Sequence, residues 1–215
     1  MTSDAENKSG YQSHRDRQIE NILDSAKILF NDKGMESVTM QGIAHKARIS
    51  RNTLYNYFPN KQEVAYGIFQ RFIAELPEKF SIQGPTAGTG YMRLEKYMMG
   101  ILEMVERNPE DSRFIAEFNV LYARDVDPQR MRQMYAGGND LLVSIIRQGI
   151  VDGSIRADFD PDLLFAVIYN FFSAVNLRFS LTGSLIAEEY GQPINAIIRA
   201  IFRIFLEGLH AASAE

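Results

Sequence analysis

The chain has 215 residues, 46% hydrophobic and 23% charged, with a net charge of −4 and no cysteine. This is ordinary globular composition, long enough to bury roughly 70% of its surface in one large domain or two smaller ones. The lack of cysteine excludes a disulfide framework, a thiolate zinc site and a thiol nucleophile, and it fits a reducing cytoplasm.

The opening MTSDAENKSGYQSHRDRQ is polar and has no signal-peptide core, so residues 1–15 are expected to form a disordered tail. From Ile19 the apolar positions Ile22, Leu23, Ala26, Leu29 and Phe30 make a helical stripe, closed by Lys33 and a Gly34 C-cap. Thr39 then caps a short helix over Met40 to Ala47 that buries Ile43 and Ala44. Ser50 caps another, through about Tyr57, which stops ahead of Pro59. A fourth helix runs from about Gln62 through Phe80, bent or ended early by Pro77, and Gln83 to Gly90 is a small-residue linker. Further helices are expected at about Tyr91–Arg107, Glu110–Arg124, Pro128–Asp152, Pro161–Leu181 and Pro193–Ala211. Asp127-Pro128 and Asp160-Pro161 match the cap-then-proline start. Gly137-Gly138 reads as a kink that makes room for a ligand, or as a plain loop. No alternating strand pattern competes, so the fold class is all-α. The expected organisation is a helix-turn-helix domain over 16–62, a connecting helix over 63–83, and an effector-binding and dimerisation domain over 84–215.

The stretch ISRNTLYNYFPNK, Ile49 to Lys61, sets a polar lead against a run of aromatics. A helix-turn-helix accounts for both, because its second helix lies in the major groove with its N-terminal residues at base edges. Leu54 and Phe58, four apart, anchor the helix from behind, leaving Arg51, Asn52, Thr53, Tyr55, Asn56 and Tyr57 outward. Arginine can bond guanine twice, asparagine can do the same for adenine, and a threonine methyl can touch that of thymine. Tyrosine hydroxyls and Lys61 suit phosphates, as does Thr39 at a helix N-terminus. Charge permits this approach: residues 1–71 hold ten Lys/Arg against eight Asp/Glu, so the net −6 lies downstream.

The segment Ile22 to Val64, with its A…LF…KG…VTM..IA..A.IS..TLY.YF..K skeleton, resembles the DNA-binding domain of TetR/AcrR-type transcriptional repressors. GIVDGSIRADFDPDLL, Gly149 to Leu164, is likewise a phrase common in that family. The resemblance implies a homodimeric repressor bound to a palindromic double-stranded operator and released when its C-terminal domain binds a small molecule. It carries DNA contact to Thr39, Arg51, Asn52, Thr53, Tyr55, Asn56, Tyr57 and Lys61, to which the Ser50 cap is added. Gly42 departs mildly, since a better helix former is usual there.

The last helix carries a continuous apolar stripe, Ile194, Ile197, Ile198, Ile201, Phe202, Phe205, Leu206 and Leu209, and the helix before it is apolar almost all round. Phe172, Phe179, Ile194, Ile197, Ile198, Ile201 and Phe205 are therefore the candidate dimer interface. Arg113, Glu117, Tyr122, Tyr169, Asn170, Ser173 and Asn176 are candidate effector contacts, polar groups on otherwise apolar helices. Asn170, Ser173 and Asn176 could equally serve the dimer seam. The effector is expected to be hydrophobic or aromatic. The apolar run Leu163 to Leu177, about 15 residues, falls short of the roughly 20 a membrane span needs, so no membrane partner is expected. His14, His45 and His210 show no metal-ligand spacing, and no nucleophile–base pair or phosphate loop appears, so neither enzyme nor cofactor is expected. The alternative keeps the fold as a protein-interaction module or coactivator that has lost DNA.

Overall fold

The computed structural model describes residues 3–79, 88–122 and 127–211. Among them run α1 (Ser3–Lys33), α2 (Met40–Lys46), α3 (Arg51–Tyr57), α4 (Lys61–Lys79), α5 (Gly90–Arg107), α6 (Pro109–Leu121), α7 (Pro128–Val151), α8 (Pro161–Tyr190) and α9 (Ile194–Leu209), with no strand. The chain divides into two compact units. One is Met1–Phe72 with Glu117–Arg124, the other Ile73–Ala116 with Asp125–Glu215. The division differs from the expected boundaries, because the end of α6 contributes to the N-terminal unit. The expected linker falls largely on residues 80–87, outside the described residues.

In the N-terminal unit, Ile22, Leu23, Ala26 and Phe30 of α1 are buried with Ile43, Ala44, Leu54, Ile68 and Phe69. The stripe read from the sequence is the core face. Phe118 of α6 stacks on Phe69, ring centroids 4.5 Å apart. Arg71 of α4 holds α1 through Glu20 at 2.5 Å and Asp24 at 2.8 Å. Gly34 closes α1 at φ 76°, as the sequence suggested. The other end departs from expectation: α1 starts at Ser3 rather than near Ile19, so residues 3–15 are helical and not a disordered tail. Once the amphipathic segment has nucleated the helix, each further turn forms without that cost, and no proline interrupts the polar lead.

In the C-terminal unit, α5 packs on α7 and α9, α7 on α8, and α8 on α9. Their shared core includes Leu94, Met98, Leu102, Ile145, Ile146, Leu164, Ile168, Phe202 and Leu206. The start of α5 meets α7 so closely that a Cβ on Gly90 would lie 2.1 Å from the Gly149 nitrogen. Asp152 accepts from Gly90 N–H at 2.7 Å and Ser154 from Tyr91 N–H at 3.0 Å, so two free amides of that terminus are satisfied. Asp127 and Asp160 cap α7 and α8 as expected. Helix α7 passes through Gly137-Gly138 without interruption, which removes the loop reading. Helix α8 runs nine residues past its expected end. The Thr182 hydroxyl donates to the Arg178 carbonyl at 2.7 Å instead of breaking the helix, and Gly183 lies against Ile194 of α9. Gly191, left-handed at φ 61°, is the true stop.

Candidate nucleic-acid interface

Two caps set the local geometry of α2 and α3. The Thr39 hydroxyl oxygen accepts Gly42 N–H at 3.1 Å, and the Ser50 oxygen accepts Thr53 N–H at 3.0 Å. Each lone pair so used leaves the hydroxyl proton able to donate outward, although Ser50 and Thr53 also share a 2.7 Å contact. Behind α3, Leu54 is fully buried. Phe58 is half-buried and reaches α4, where a Cβ on Gly67 would come within 3.3 Å of its ring and 3.0 Å of Leu23. The helix is thus held by one leucine and one phenylalanine four residues apart, the arrangement expected from their spacing.

The opposite face is polar. Arg51, Asn52, Tyr55 and Asn56 are exposed and Thr53 half-buried. The Arg51 guanidinium lies 5.4 Å from the centre of the Tyr55 ring, with Nη2 within 3.4 Å of the phenolic oxygen. That stacking holds a long side chain in place over an exposed helix. Tyr57 is half-buried under the guanidinium of Arg15, 5.6 Å from its ring centre. Lys61 has a second task. Its ammonium donates to the carbonyls of Met35 at 2.8 Å and Glu36 at 2.7 Å, tying the start of α4 to the loop ahead of α2. Burial pulls its pKa below the ordinary lysine value, with the Glu36 carboxylate acting in the other direction. One of its three protons is still available to a phosphate.

The expected effector contacts do not converge. The Glu117 carboxylate accepts Met35 N–H at 2.7 Å and belongs to the N-terminal unit, where it fixes the same loop as Lys61. Tyr122 is there too, edge-on to Phe118, with its hydroxyl pKa raised first by burial and then by Glu36. Arg113 is exposed, while Tyr169 is half-buried and stacked on Phe165. Asn170 is exposed and donates to its own helix at Ala166, Ser173 is half-buried, and Asn176 is buried with its amide on the Ser112 carbonyl at 3.3 Å. Steps of three residues drift round a helix by about 60° each, so this row ends on a different side from where it starts.

The expected dimer residues need one correction. Ile198 is buried in its own subunit's core. Phe205 stacks face to face on Phe171 at 3.9 Å, and Phe172 meets Phe202 edge-on at 5.4 Å. Ile194 and Phe179 pack beside the same core. Ile197, Ile201 and Phe179 line an open groove of about 500 Å³ with Arg178, Ile186 and Tyr190, and none of the expected effector contacts lines it. Three apolar side chains of α8 and α9 that stand well out in solvent were not among the expected interface residues: Leu181 at 53%, Leu185 at 64% and Ile204 at 69%. Two of these lie at or beyond the expected end of α8, so only its continuation past Thr182 reveals them as one face. By length and mean hydropathy α8 alone among the described helices would suffice to cross a bilayer, yet it also carries Arg178, Glu188 and Glu189.

Residues 22–65 match the model of the tetR family of bacterial regulatory proteins. The HTH-type transcriptional repressor KstR2 of Mycolicibacterium smegmatis is 26% identical over 188 residues, covering 82% of this chain and 86% of that one. The chain carries the DNA-binding domain of the TetR family over residues 22–65. Among solved TetR-family structures, a regulator from Pectobacterium atrosepticum superposes with TM-score 0.73 at 19% identity, covering 94% and 98% of the two chains. FadR of Thermus thermophilus, a TetR-family repressor solved with lauroyl-CoA, superposes with TM-score 0.64 at 23% identity, covering 91% and 97%. A TetR-family protein is a DNA-binding transcriptional regulator and not an enzyme, and the protein-interaction alternative is not favoured.

Proposed function

We propose that this TetR-family regulator is a cytoplasmic homodimeric repressor that reads a palindromic operator with α3 and leaves it when an apolar small molecule binds the C-terminal unit. The observation that carries the first half is the capped α3, with Leu54 sunk into the core while Arg51, Asn52, Tyr55 and Asn56 stand exposed. On this reading Arg51 and Asn52 meet base edges, and Thr39, Ser50, Thr53, Tyr55, Asn56, Tyr57 and Lys61 add phosphate and further base contacts. Two such helices one DNA turn apart require a dimer. The exposed apolar side chains Leu181, Leu185 and Ile204, on the same two helices as the groove residues Phe179, Ile197 and Ile201, supply a surface a second copy would cover.

The effector is proposed to be hydrophobic because the core of the C-terminal unit is aliphatic and aromatic. The lauroyl-CoA held by the Thermus FadR makes long-chain acyl-CoA thioesters, in which the apolar part is the acyl chain and the CoA head is charged, the first class to test. Effector and operator then bind different conformations of one dimer, so each weakens the other. A duplex enriched from a random library by the wild-type protein supplies the probe. Arg51→Ala and Tyr55→Ala should abolish the mobility shift on that duplex with the dimer and helical content intact. An unchanged shift in both variants would remove α3 from the recognition surface.

A further inference from the structure

Helix α2 ends in a Schellman arrangement. Ile49 N–H donates to the Ala44 carbonyl at 3.0 Å, enclosing the bond from Arg48 N–H to the His45 carbonyl at 3.2 Å. That pattern needs one left-handed residue, and Arg48 supplies it at φ 56°. Among the described residues Arg48 is the one non-glycine with positive φ; the other four such positions are glycines. Glycine is the usual occupant because a Cβ crowds the neighbouring carbonyl in this conformation. Local sterics therefore argue against arginine here.

Packing does not offset the cost. Arg48 is exposed, and no hydrogen bond, ion pair or ring engages its guanidinium among the described residues. The other four described arginines of the N-terminal unit are all engaged: Arg15 over Tyr57, Arg17 on the Ser13 carbonyl, Arg51 over Tyr55, and Arg71 on Glu20 and Asp24. Arg48 stands alone in a strained turn, two residues ahead of the Ser50 cap and next to the exposed His45 and Lys46. Non-glycine residues held in such sparsely populated backbone conformations cluster at ligand-binding and switch sites.

We infer that Arg48 is a DNA phosphate-binding residue, held at a glycine position because its guanidinium reaches the backbone beside the bases that α3 reads. The planar fork can bond two phosphate oxygens at once, which strengthens attachment without adding sequence preference. This inference rests on the DNA-binding reading above.

The test compares full-length wild type, Arg48→Gly, Arg48→Ala and Arg48→Lys on two probes, the library-enriched duplex and a mixed-sequence duplex. Arg48→Gly should relieve the turn and raise Tm by about 2–4 °C. It should also weaken both probes by a similar factor, roughly tenfold, and lower the slope of log Kd against log salt by roughly two per dimer. Arg48→Ala should lose the same affinity without the rise in Tm, and Arg48→Lys should retain the salt slope. Unchanged affinity and slope in Arg48→Gly would overturn the inference, as would a loss confined to the enriched duplex, which is the mark of base readout. Arg51→Ala separates the two levels. Its loss of the enriched duplex beside an unaffected Arg48→Gly removes this inference alone, whereas failure of the wild type to enrich any duplex removes the DNA-binding reading and this inference with it.

Discussion

The two units leave different kinds of surface uncovered. In the N-terminal unit the apolar side chains of α1 to α4 close on one another, and what remains outside α3 is arginine, asparagine and phenol. In the C-terminal unit the core is equally well filled, but α8 and α9 still present leucine and isoleucine to solvent. Water tolerates the first surface without a partner, and the second gains by being covered. One protein thus carries two exposed faces of opposite chemistry, and the physical state of each is what the proposed partners are matched to.

The contrast can be broken most severely through the C-terminal core. Gly90→Ala would force a Cβ into the backbone at Gly149, which no rotamer can avoid. The expected loss exceeds about 3 kcal/mol, read as a drop in the thermal melt, and a wild-type melt would disprove the close helix crossing. Next comes the apolar face itself. Leu185→Glu should leave the fold unaltered, because the side chain is exposed, while two buried carboxylates per dimer weaken self-association by several kcal/mol. Light scattering at graded concentrations reads the outcome; a variant as dimeric as wild type would take α8 out of the interface.

A pH experiment sharpens the same point. Burial raises the Tyr97 pKa from 10.0 to about 12. Between those values the unfolded chain releases a proton that the folded chain retains, so stability falls as pH rises from about 10 to 12, by an amount of the order of 2 kcal/mol. Tyr97→Phe should flatten that decline in denaturant titrations, and an identical decline would assign it elsewhere. The smallest effect lies in α2. A Cβ on Gly42 would make only an ordinary 3.5 Å contact with the Thr39 hydroxyl. Gly42→Ala is therefore expected to stabilise by about 0.5–1 kcal/mol, measured as a shifted denaturation midpoint, and an unshifted or lowered midpoint would contradict it.

Legibility in the sequence followed the range of the interactions. The helix-turn-helix was readable because its determinants are local: a capping hydroxyl three residues from the amide it accepts, and Leu54 and Phe58 one turn apart. The ends of α1 and α8 were not, because Thr182 and Gly183 look like a stop until Thr182 is seen bonded back to Arg178 and Gly183 pressed against Ile194. Glu117 shows the deeper obstacle. Periodicity tells that a polar residue breaks an apolar face, but not that its carboxylate will meet the Met35 amide eighty-two positions earlier. Ile198 failed for a related reason, since a stripe wide enough to cover two partners does not say which residues face which.

The central claim is that the polar side of α3 enters the major groove while Leu54 holds it from behind. Methylation protection of guanine N7 on the library-enriched duplex tests this most directly. The account predicts two protected major-groove patches about 10–10.5 base pairs apart, or a multiple of that, both lost in Arg51→Ala. A bound complex that leaves every guanine N7 as reactive as in free DNA, or whose protections persist in Arg51→Ala, would contradict it.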